Sequence, residues 1–118
     1  MNIIGNGVDI IEVSRLKNAI ERNGKRFLNR IFTQRELKKA EEYNAFYQHL
    51  AGRFAAKESV FKALSDRRLR FKDIEVINDH EGKPYCSLIN SSKNKVNIHI
   101  SISHIKNYAV ASAIITKK

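Results

Sequence analysis

The centre of the chain reads Arg53-Phe54-Ala55-Ala56-Lys57-Glu58-Ser59-Val60-Phe61-Lys62-Ala63-Leu64. Ala, Lys, Glu and Leu dominate this stretch and neither Pro nor Gly interrupts it, which predicts a helix. Extended back to Leu50 and turned by about 100° per residue, the helix carries an apolar stripe formed by Leu50, Phe54, Phe61 and Leu64. Because small and apolar residues widen that stripe on both sides, we expect the helix to be largely buried.

Four charged residues lie on this helix in two pairs of i, i+4 spacing, Glu58 with Lys62 and Arg53 with Lys57. A charge among apolar neighbours is costly unless it is paired, and two like charges at this spacing repel each other weakly. One interpretation is a Glu58–Lys62 salt bridge beside two basic side chains that extend to solvent. The other is that Arg53 and Lys57 bind an anion such as phosphate, while a cation lies near Glu58. The pattern alone favours the salt bridge.

Length and composition indicate a single domain, predicted to span residues 1–118, with 42% hydrophobic residues to form its core. Cys86 is the one cysteine of the sequence, which excludes a disulfide within the chain. The N-terminus has neither the basic start nor the apolar core of a signal peptide, and no apolar run has the length of a membrane span. These features predict a cytoplasmic protein.

The formal net charge of +10 indicates an anionic partner. Residues 15–39 hold nine basic and two acidic side chains, a net charge of +7, which favours a docking surface for an acidic protein. The alternative is a nucleic-acid-binding module, which needs aromatic side chains for base stacking. Only Phe27 and Phe32 are aromatic in this segment, and it carries no known nucleic-acid-binding motif. We therefore expect neither nucleic acid nor a membrane as partner.

The first strand is predicted to contain an unusual residue, Asp9, within the apolar run Val8–Ile11. Asp is poor in strands, and a buried one needs a partner. It either faces water from an edge strand, ligates a metal or forms an ion pair, and the sequence leaves these alternatives open. Gly5 and Gly7 indicate a bend or a close approach of another backbone.

Local signals divide the rest of the chain into helices followed by strands. Ser14 is a predicted N-cap, Gly24 ends or kinks the helix that follows, and Thr33 with Glu36 forms a capping box. The pattern predicts an α+β fold with an N-terminal strand, a helical segment with one long central helix, and a mostly antiparallel sheet in the C-terminal half. The expected elements are a strand at 3–13, helices at 15–23, from 34 and at 46–64, strands at 74–78, 85–89, 96–104 and 108–116, and a polar loop at 90–95.

Two motifs resemble those of the holo-[acyl-carrier-protein] synthases, a family of 4′-phosphopantetheinyl transferases. Gly7-Val8-Asp9-Ile10-Ile11-Glu12-Val13-Ser14-Arg15-Leu16 is similar to the N-terminal motif G-[IV]-D-[IL]-x-x-x-x-R-[IL]. Leu50-Ala51-Gly52-Arg53-Phe54-Ala55-Ala56-Lys57-Glu58-Ser59-Val60-Phe61-Lys62-Ala63 is similar to the second motif, R-[FW]-[AC]-x-K-E-[AS]-x-x-K-[AS]. Phe71–Val76, Gly82-Lys83-Pro84 and Ile100–His104 follow in the order of the family, so the resemblance spans nearly the whole chain.

The resemblance implies an enzyme that transfers 4′-phosphopantetheine from coenzyme A to a serine of apo acyl carrier protein and releases adenosine 3′,5′-bisphosphate. Such enzymes use Mg²⁺, support fatty acid biosynthesis and are typically homotrimers with active sites between subunits. The implied catalytic residues are Asp9, Glu58 and Lys62, and the implied metal ligands are Asp9 and Glu58. Coenzyme A would contact Arg53, Lys57, Lys62, Lys83, Pro84, Ser103 and His104, some of them in a neighbouring subunit. The acidic carrier would contact Arg15, Arg22, Arg26, Phe27 and Ile31.

Two roles stay open, and the chain departs from the family pattern at two places. Lys62 would stabilise the diphosphate or protonate the leaving group, and either Glu58 or a metal-bound water would accept the serine proton. The segment Ser65-Asp66-Arg67-Arg68 lacks the family's Gly-rich loop, and Glu81 stands where the family often has Asn. The missing loop leaves a non-catalytic, carrier-binding relative as a further alternative.

Overall fold

The computed structural model describes residues 2–89 and 96–118, so the predicted polar loop at 90–95 lies outside the described residues. A strand leads into three helices, and four further strands follow. In chain order the elements are β1 (Ile3–Glu12), α1 (Val13–Ile31), α2 (Gln34–Ala40), α3 (Phe46–Leu64), a short 3₁₀ helix (Phe71–Asp73), β2 (Ile74–Asn78), β3 (Pro84–Leu88), β4 (Val96–His104) and β5 (Tyr108–Lys117).

The strands form two antiparallel sheets, one of three strands in the order β1-β5-β4 and one of two strands, β2 and β3. This arrangement confirms the predicted α+β class and the antiparallel pairing. None of the helices in the described residues combines the length and apolarity that a membrane crossing requires.

Helix α3 is the element against which the others pack, as its sequence predicts. It contacts β1, β5, β4 and β2 as well as α1 and α2. Eleven of its 19 residues are buried, and Lys62 is its one exposed residue. Alanines on β5, namely Ala109, Ala111 and Ala113, are at most 2% exposed and let the helix lie close to the sheet.

The three-stranded sheet has one face on α3 and one face that no described element covers. The strand register places Ile10 opposite Val110, and Asn6 opposite Ile114, on this second face. Val8 is also on it, two residues before Ile10. Val8 is 60% exposed, Ile10 65%, Val110 37% and Ile114 40%. Four large apolar side chains therefore form a water-exposed surface, here named the outer apolar face.

Helix α1 begins and ends outside its predicted bounds of 15–23, and the predicted alternative of a kink at Gly24 is confirmed. It begins at Val13 with Glu12 at the N-cap, so the assignment of Ser14 as N-cap is wrong. The helix continues past Gly24 to Ile31, because Gly24 adopts φ 59° and ψ −143° and changes the helix direction without ending it. A side chain would disfavour that conformation. The capping box of Thr33 and Glu36 is confirmed at the start of α2.

Ser65 ends α3 in the left-handed conformation, with φ 53° and ψ 34°. Its hydroxyl donates to the carbonyl of Lys62 at 3.3 Å. A residue with a Cβ is strained in this region, whereas glycine is not. The chain thus keeps the backbone shape that a glycine would favour at the start of the loop, although the loop contains none.

We expect Ser65→Gly to raise the free energy of unfolding by about 1 kcal/mol, because it removes this strain. Urea denaturation monitored by circular dichroism measures the change. Ser65→Ala is the matched control, since it loses the same hydroxyl but keeps the Cβ. Equal stability of the two variants would contradict the strain at Ser65.

Candidate active site

Asp9 lies on the face of β1 that packs against α3. The register pairs Asp9 with Ala111, Gly7 with Ala113 and Ile11 with Ala109. These alanines are the residues that line the buried face of β5, so Gly5, Gly7, Asp9 and Ile11 form the row of β1 that faces the helix. The edge-strand alternative, in which Asp9 points to bulk water, is thereby excluded.

Two glycines let β1 approach the backbone of α3. A Cβ on Gly5 would lie 2.1 Å from the carbonyl oxygen of Ala63, and one on Gly7 would lie 2.2 Å from that of Ser59. No side chain fits at either position without displacing the strand. The close backbone approach that the sequence indicated is confirmed, and it places Asp9 directly beside the last turns of α3.

The ammonium of Lys62 binds β1 at two points. Its Nζ is 3.2 Å from Oδ1 of Asp9 and donates to the carbonyl of Val8 at 2.9 Å. The predicted Glu58–Lys62 salt bridge is therefore wrong, because the ion pair of Lys62 is made with Asp9 across the helix–strand contact. Lys62 remains about half exposed, which leaves the ammonium accessible to a ligand.

Glu58 lies in the same place, one turn before Lys62 on α3. Burial raises the pKa of its carboxyl group, the charge of Asp9 raises it further, and Lys62 opposes the rise. The carboxylates of Glu58 and Asp9 thus repel each other, and the charge of Lys62 only partly offsets this repulsion. Such a pair favours the arrival of a cation.

The two carboxylates fit a hard divalent cation. Mg²⁺ prefers oxygen ligands and is commonly held by one or two carboxylates together with substrate phosphates and water. In residues 2–89 and 96–118, no group of three or more His, Cys, Asp or Glu side chains is arranged to hold a metal. A magnesium ion at Asp9 and Glu58 would therefore need oxygen atoms from a substrate or from water to complete its coordination.

A cavity of about 520 Å³ opens beside this pair, between α1 and α3. Its lining combines polar groups with large apolar side chains. Arg15 and Phe27 of α1 and Phe54 of α3 face it together with Asp9 and Glu58. We name this cavity the acceptor groove.

The predicted carrier-binding residues have different positions in the structure. Arg15 and Phe27 line the acceptor groove, whereas Arg22 and Arg26 are exposed elsewhere on α1. Ile31 is 5% exposed and packs in the core with Leu16 and Ile20, so its assignment to a partner surface is wrong. Ile31 lies on the inward face of an amphipathic helical turn, and the basic residues beside it in the sequence lie on the outward face.

The predicted role of Lys57 in phosphate binding is also wrong. Its side chain is 0% exposed, and its Nζ is 2.6 Å from Oε1 of Glu36, which is equally buried. The same ammonium donates to the carbonyls of Ile31 and Phe71 at 2.8 and 3.1 Å. Burial raises the pKa of Glu36, and the charge of Lys57 opposes that rise. The sequence does not reveal the pair, because the capping box by itself accounts for a glutamate at position 36.

Arg53 lies on a different side of α3 from Glu58. Five residues separate them, which corresponds to about 140° of rotation around the helix. The guanidinium of Arg53 donates to Oδ1 of Asn78 at 2.6 Å, and Asn78 pairs with Pro84 across the β2–β3 hairpin. Arg53 is only 7% exposed, and its contact with coenzyme A stays a prediction.

His49 is a residue near Arg53 that the sequence analysis did not identify. Its ring stacks on Tyr43 at a centroid distance of 4.3 Å, and its Nε2 is buried without a hydrogen-bond partner in the described residues. Burial, together with the positive charges of Arg53, His104 and Lys39, lowers the pKa of His49 to about 4. The neutral imidazole therefore stands in positive surroundings. Its i, i+4 spacing to Arg53 was the signal available in the sequence.

The remaining predicted coenzyme-binding residues lie outside α3, on β3, β4 and the turn before β3, and their contact with coenzyme A stays a prediction. Ser103 pairs with Val110 on the outer apolar face, opposite the face that carries Asp9. Lys83 and His104 are exposed, and Lys83 is in the turn before β3. The protomer therefore brings Asp9, Glu58 and Lys62 together, whereas Ser103 lies on the opposite face of the sheet.

Comparison with known proteins identifies the family. The model of the 4′-phosphopantetheinyl transferase superfamily matches residues 5–113. The holo-[acyl-carrier-protein] synthase of Clostridium tetani is 49% identical over 121 residues, covering 96% of this chain and 95% of that protein. That of Thermodesulfovibrio yellowstonii is 45% identical over 115 residues, covering 97% and 99%. A crystal structure of a holo-(acyl-carrier-protein) synthase from Bacillus anthracis in complex with CoA (3′,5′-ADP) matches with a TM-score of 0.85 and 36% identity over 98% of both chains.

The chain belongs to the 4′-phosphopantetheinyl transferase superfamily. Within it, the similarity to holo-[acyl-carrier-protein] synthases extends over nearly the full length of the chain. The family resemblance and the prediction of a transferase are thereby confirmed.

We expect Gly7→Ala to separate β1 from α3 and to lower the free energy of unfolding by about 1–3 kcal/mol, as overpacking does. Displacement of Asp9 should also weaken the binding of Mg²⁺, which isothermal titration calorimetry measures in the presence of coenzyme A. Gly52→Ala is the control, since its Cβ would meet only the Cγ2 methyl of Ile102, at 2.9 Å. Equal effects of both substitutions would contradict a specific role for the β1–α3 contact.

Proposed function

We propose that this protein transfers 4′-phosphopantetheine from coenzyme A to a serine of apo acyl carrier protein, with Mg²⁺ as cofactor, and releases adenosine 3′,5′-bisphosphate. The observation that carries the proposal is the convergence of Asp9 and Glu58 beside the half-exposed Lys62. The family membership and the complex of a similar synthase with CoA support the choice of donor. The domain would span residues 1–118, and its product would serve fatty acid biosynthesis.

Mg²⁺ held by Asp9 and Glu58 would neutralise charge on the diphosphate of coenzyme A as the transfer proceeds. The paired carboxylates supply two oxygen ligands, and the diphosphate and water would supply the others. The raised pKa of Glu58 belongs to the cation-free state. A bound divalent cation would favour the ionised form.

Lys62 is the residue best placed to act on the leaving diphosphate oxygen. Its ammonium is held by Asp9 and the Val8 carbonyl on one side and is open to solvent on the other. In the transfer, the serine oxygen forms a bond to the phosphorus attached to pantetheine, and the bond from that phosphorus to the departing nucleotide breaks. Lys62 would stabilise the charge on the departing oxygen or protonate it. Glu58 or water would receive the serine proton.

The acceptor groove would admit the serine-bearing segment of the carrier. It leads to Glu58 and Asp9, and Phe27 and Phe54 supply apolar contact along it. Arg15 at the groove and the exposed Arg22 and Arg26 would attract acidic groups of the carrier. These positive charges fit an acidic protein as partner. A nucleic-acid partner would in addition need aromatic side chains on which bases stack.

We propose a homotrimer in which each active site combines two subunits. The outer apolar face leaves four large apolar side chains in water, and adjoining exposed apolar side chains commonly mark a protein–protein interface. Asp9, Glu58 and Lys62 of one subunit would bind the diphosphate. Coenzyme contacts at the remaining predicted positions would come from a neighbour, since Ser103 lies on the outer apolar face, away from Glu58; these positions are Arg53, Lys83, Pro84, Ser103 and His104.

Asp9→Asn and Glu58→Gln should each reduce transfer by at least about 100-fold, because each removes one of two cation ligands. Mass spectrometry of apo carrier protein after incubation with coenzyme A and Mg²⁺ measures the transfer as the gain of one phosphopantetheine arm. Glu42→Gln, an equivalent change at an exposed position in the turn after α2, should leave transfer unchanged. Undiminished transfer by either site variant would contradict the metal site. No transfer by the wild type would favour the non-catalytic, carrier-binding relative.

The trimer predicts a mass of about 41 kDa, three times the 13.6 kDa of the chain. Ile114→Glu should lower the mass to that of a monomer and abolish transfer, because it buries a charge in the outer apolar face. Size-exclusion chromatography with light scattering measures the mass. Asn18→Glu changes the charge by the same amount on the exposed surface of α1 and should leave the trimer intact. A wild-type monomer with full activity would contradict the shared site.

A further inference from the structure

Lys57 uses every hydrogen-bond donor of its ammonium inside the protein. The three acceptors are Oε1 of Glu36, the carbonyl of Ile31 and the carbonyl of Phe71. Lys57 is 0% exposed and touches neither solvent nor the proposed coenzyme site. It is adjacent in sequence to Glu58, yet its side chain leaves α3 on another side.

The partners of Lys57 belong to three separate elements. Ile31 is the last residue of α1, Glu36 lies in the first turn of α2, and Phe71 begins the 3₁₀ helix. Glu36 is itself fixed, because its carboxylate accepts hydrogen bonds from the backbone N–H groups of Thr33 and Val76, at 2.8 and 2.7 Å. The ammonium of Lys57 therefore fixes the relative positions of α1, α2, α3 and the 3₁₀ helix.

Two of these connections lead to aromatic side chains of the acceptor groove. Ile31 ends the segment of α1 that follows the kink at Gly24 and that carries Phe27. Phe71 stacks on Phe54 with a centroid distance of 5.4 Å and an interplanar angle of 14°. Phe27 and Phe54 both line the groove. The ammonium of Lys57 thus holds the helical segment that carries Phe27 and the residue that stacks on Phe54.

We propose that Lys57, with Glu36, is a positioning residue for the acceptor: it holds Phe27 and Phe54 at the separation that the serine-bearing segment of the carrier protein requires. This inference rests on the proposed function. Lys57 makes no contact with the reacting atoms, so its loss should affect the carrier far more than coenzyme A or the chemical step.

The test compares Lys57→Met with Ile115→Ala, a cavity-forming change in the other part of the core, where Ile115 is 0% exposed. Assays run at a temperature at which both variants are folded, as checked by circular dichroism. Lys57→Met should raise the KM for the carrier and its Kd by about tenfold, whereas kcat and the Kd of coenzyme A should change less than threefold. Ile115→Ala should leave all four values within twofold of the wild type.

Phe71→Leu provides a second variant if Lys57→Met does not fold, since it keeps the backbone carbonyl that Lys57 binds but removes the ring stacked on Phe54. It should raise the Kd of the carrier at least threefold. Unchanged carrier binding by the folded variants, or an equal rise for Ile115→Ala, would overturn the proposal. The Kd measurement separates this outcome from failure of the proposed function, because it remains decisive even if the wild type transfers no phosphopantetheine.

Discussion

The direct packing of the β1 backbone on the α3 backbone is the constraint from which the site follows. Gly5 and Gly7 leave no space for a side chain beneath Ala63 and Ser59. The period of two along β1 then points Asp9 at the same helix, where Glu58 and Lys62 lie one turn apart. Asp9 and Glu58 are distant in sequence, and they become neighbours because glycine, which has no Cβ, occupies positions 5 and 7.

The four charged side chains of α3 have different partners. Lys62 pairs with the strand, Glu58 keeps an excess of negative charge beside Asp9, and Arg53 binds an amide on β2. Lys57 is completely buried and pairs with Glu36. A buried ion pair is weak support for stability because both ions lose hydration. The three satisfied donors of Lys57 instead fix the relative positions of α1, α2, α3 and the 3₁₀ helix.

Much of this site could be predicted from the sequence, because periodicity and motif spacing report directly on local structure. The burial of α3, the capping box at Thr33 and the close approach at Gly7 are local properties and are confirmed. The partner of Lys57 could not be predicted, because the sequence pattern of a lysine inside an apolar helix is the same whether it binds a phosphate or a buried carboxylate. Ile31 was misassigned for a related reason, since alternation with basic residues does not tell which side of a turn faces the core.

The division of the predicted site between two sides of α3 argues for assembly as a condition of activity. Coenzyme A is long and carries phosphates at two places, so one carboxylate pair engages only part of it. Arg53 is rotated by about 140° from Glu58, and Ser103 lies beyond the sheet on the outer apolar face. A second copy seated on that face would remove apolar surface from water and, by the same contact, bring Ser103 and its neighbours towards another subunit's Glu58. Stability of the assembly and completeness of the site would then depend on one surface.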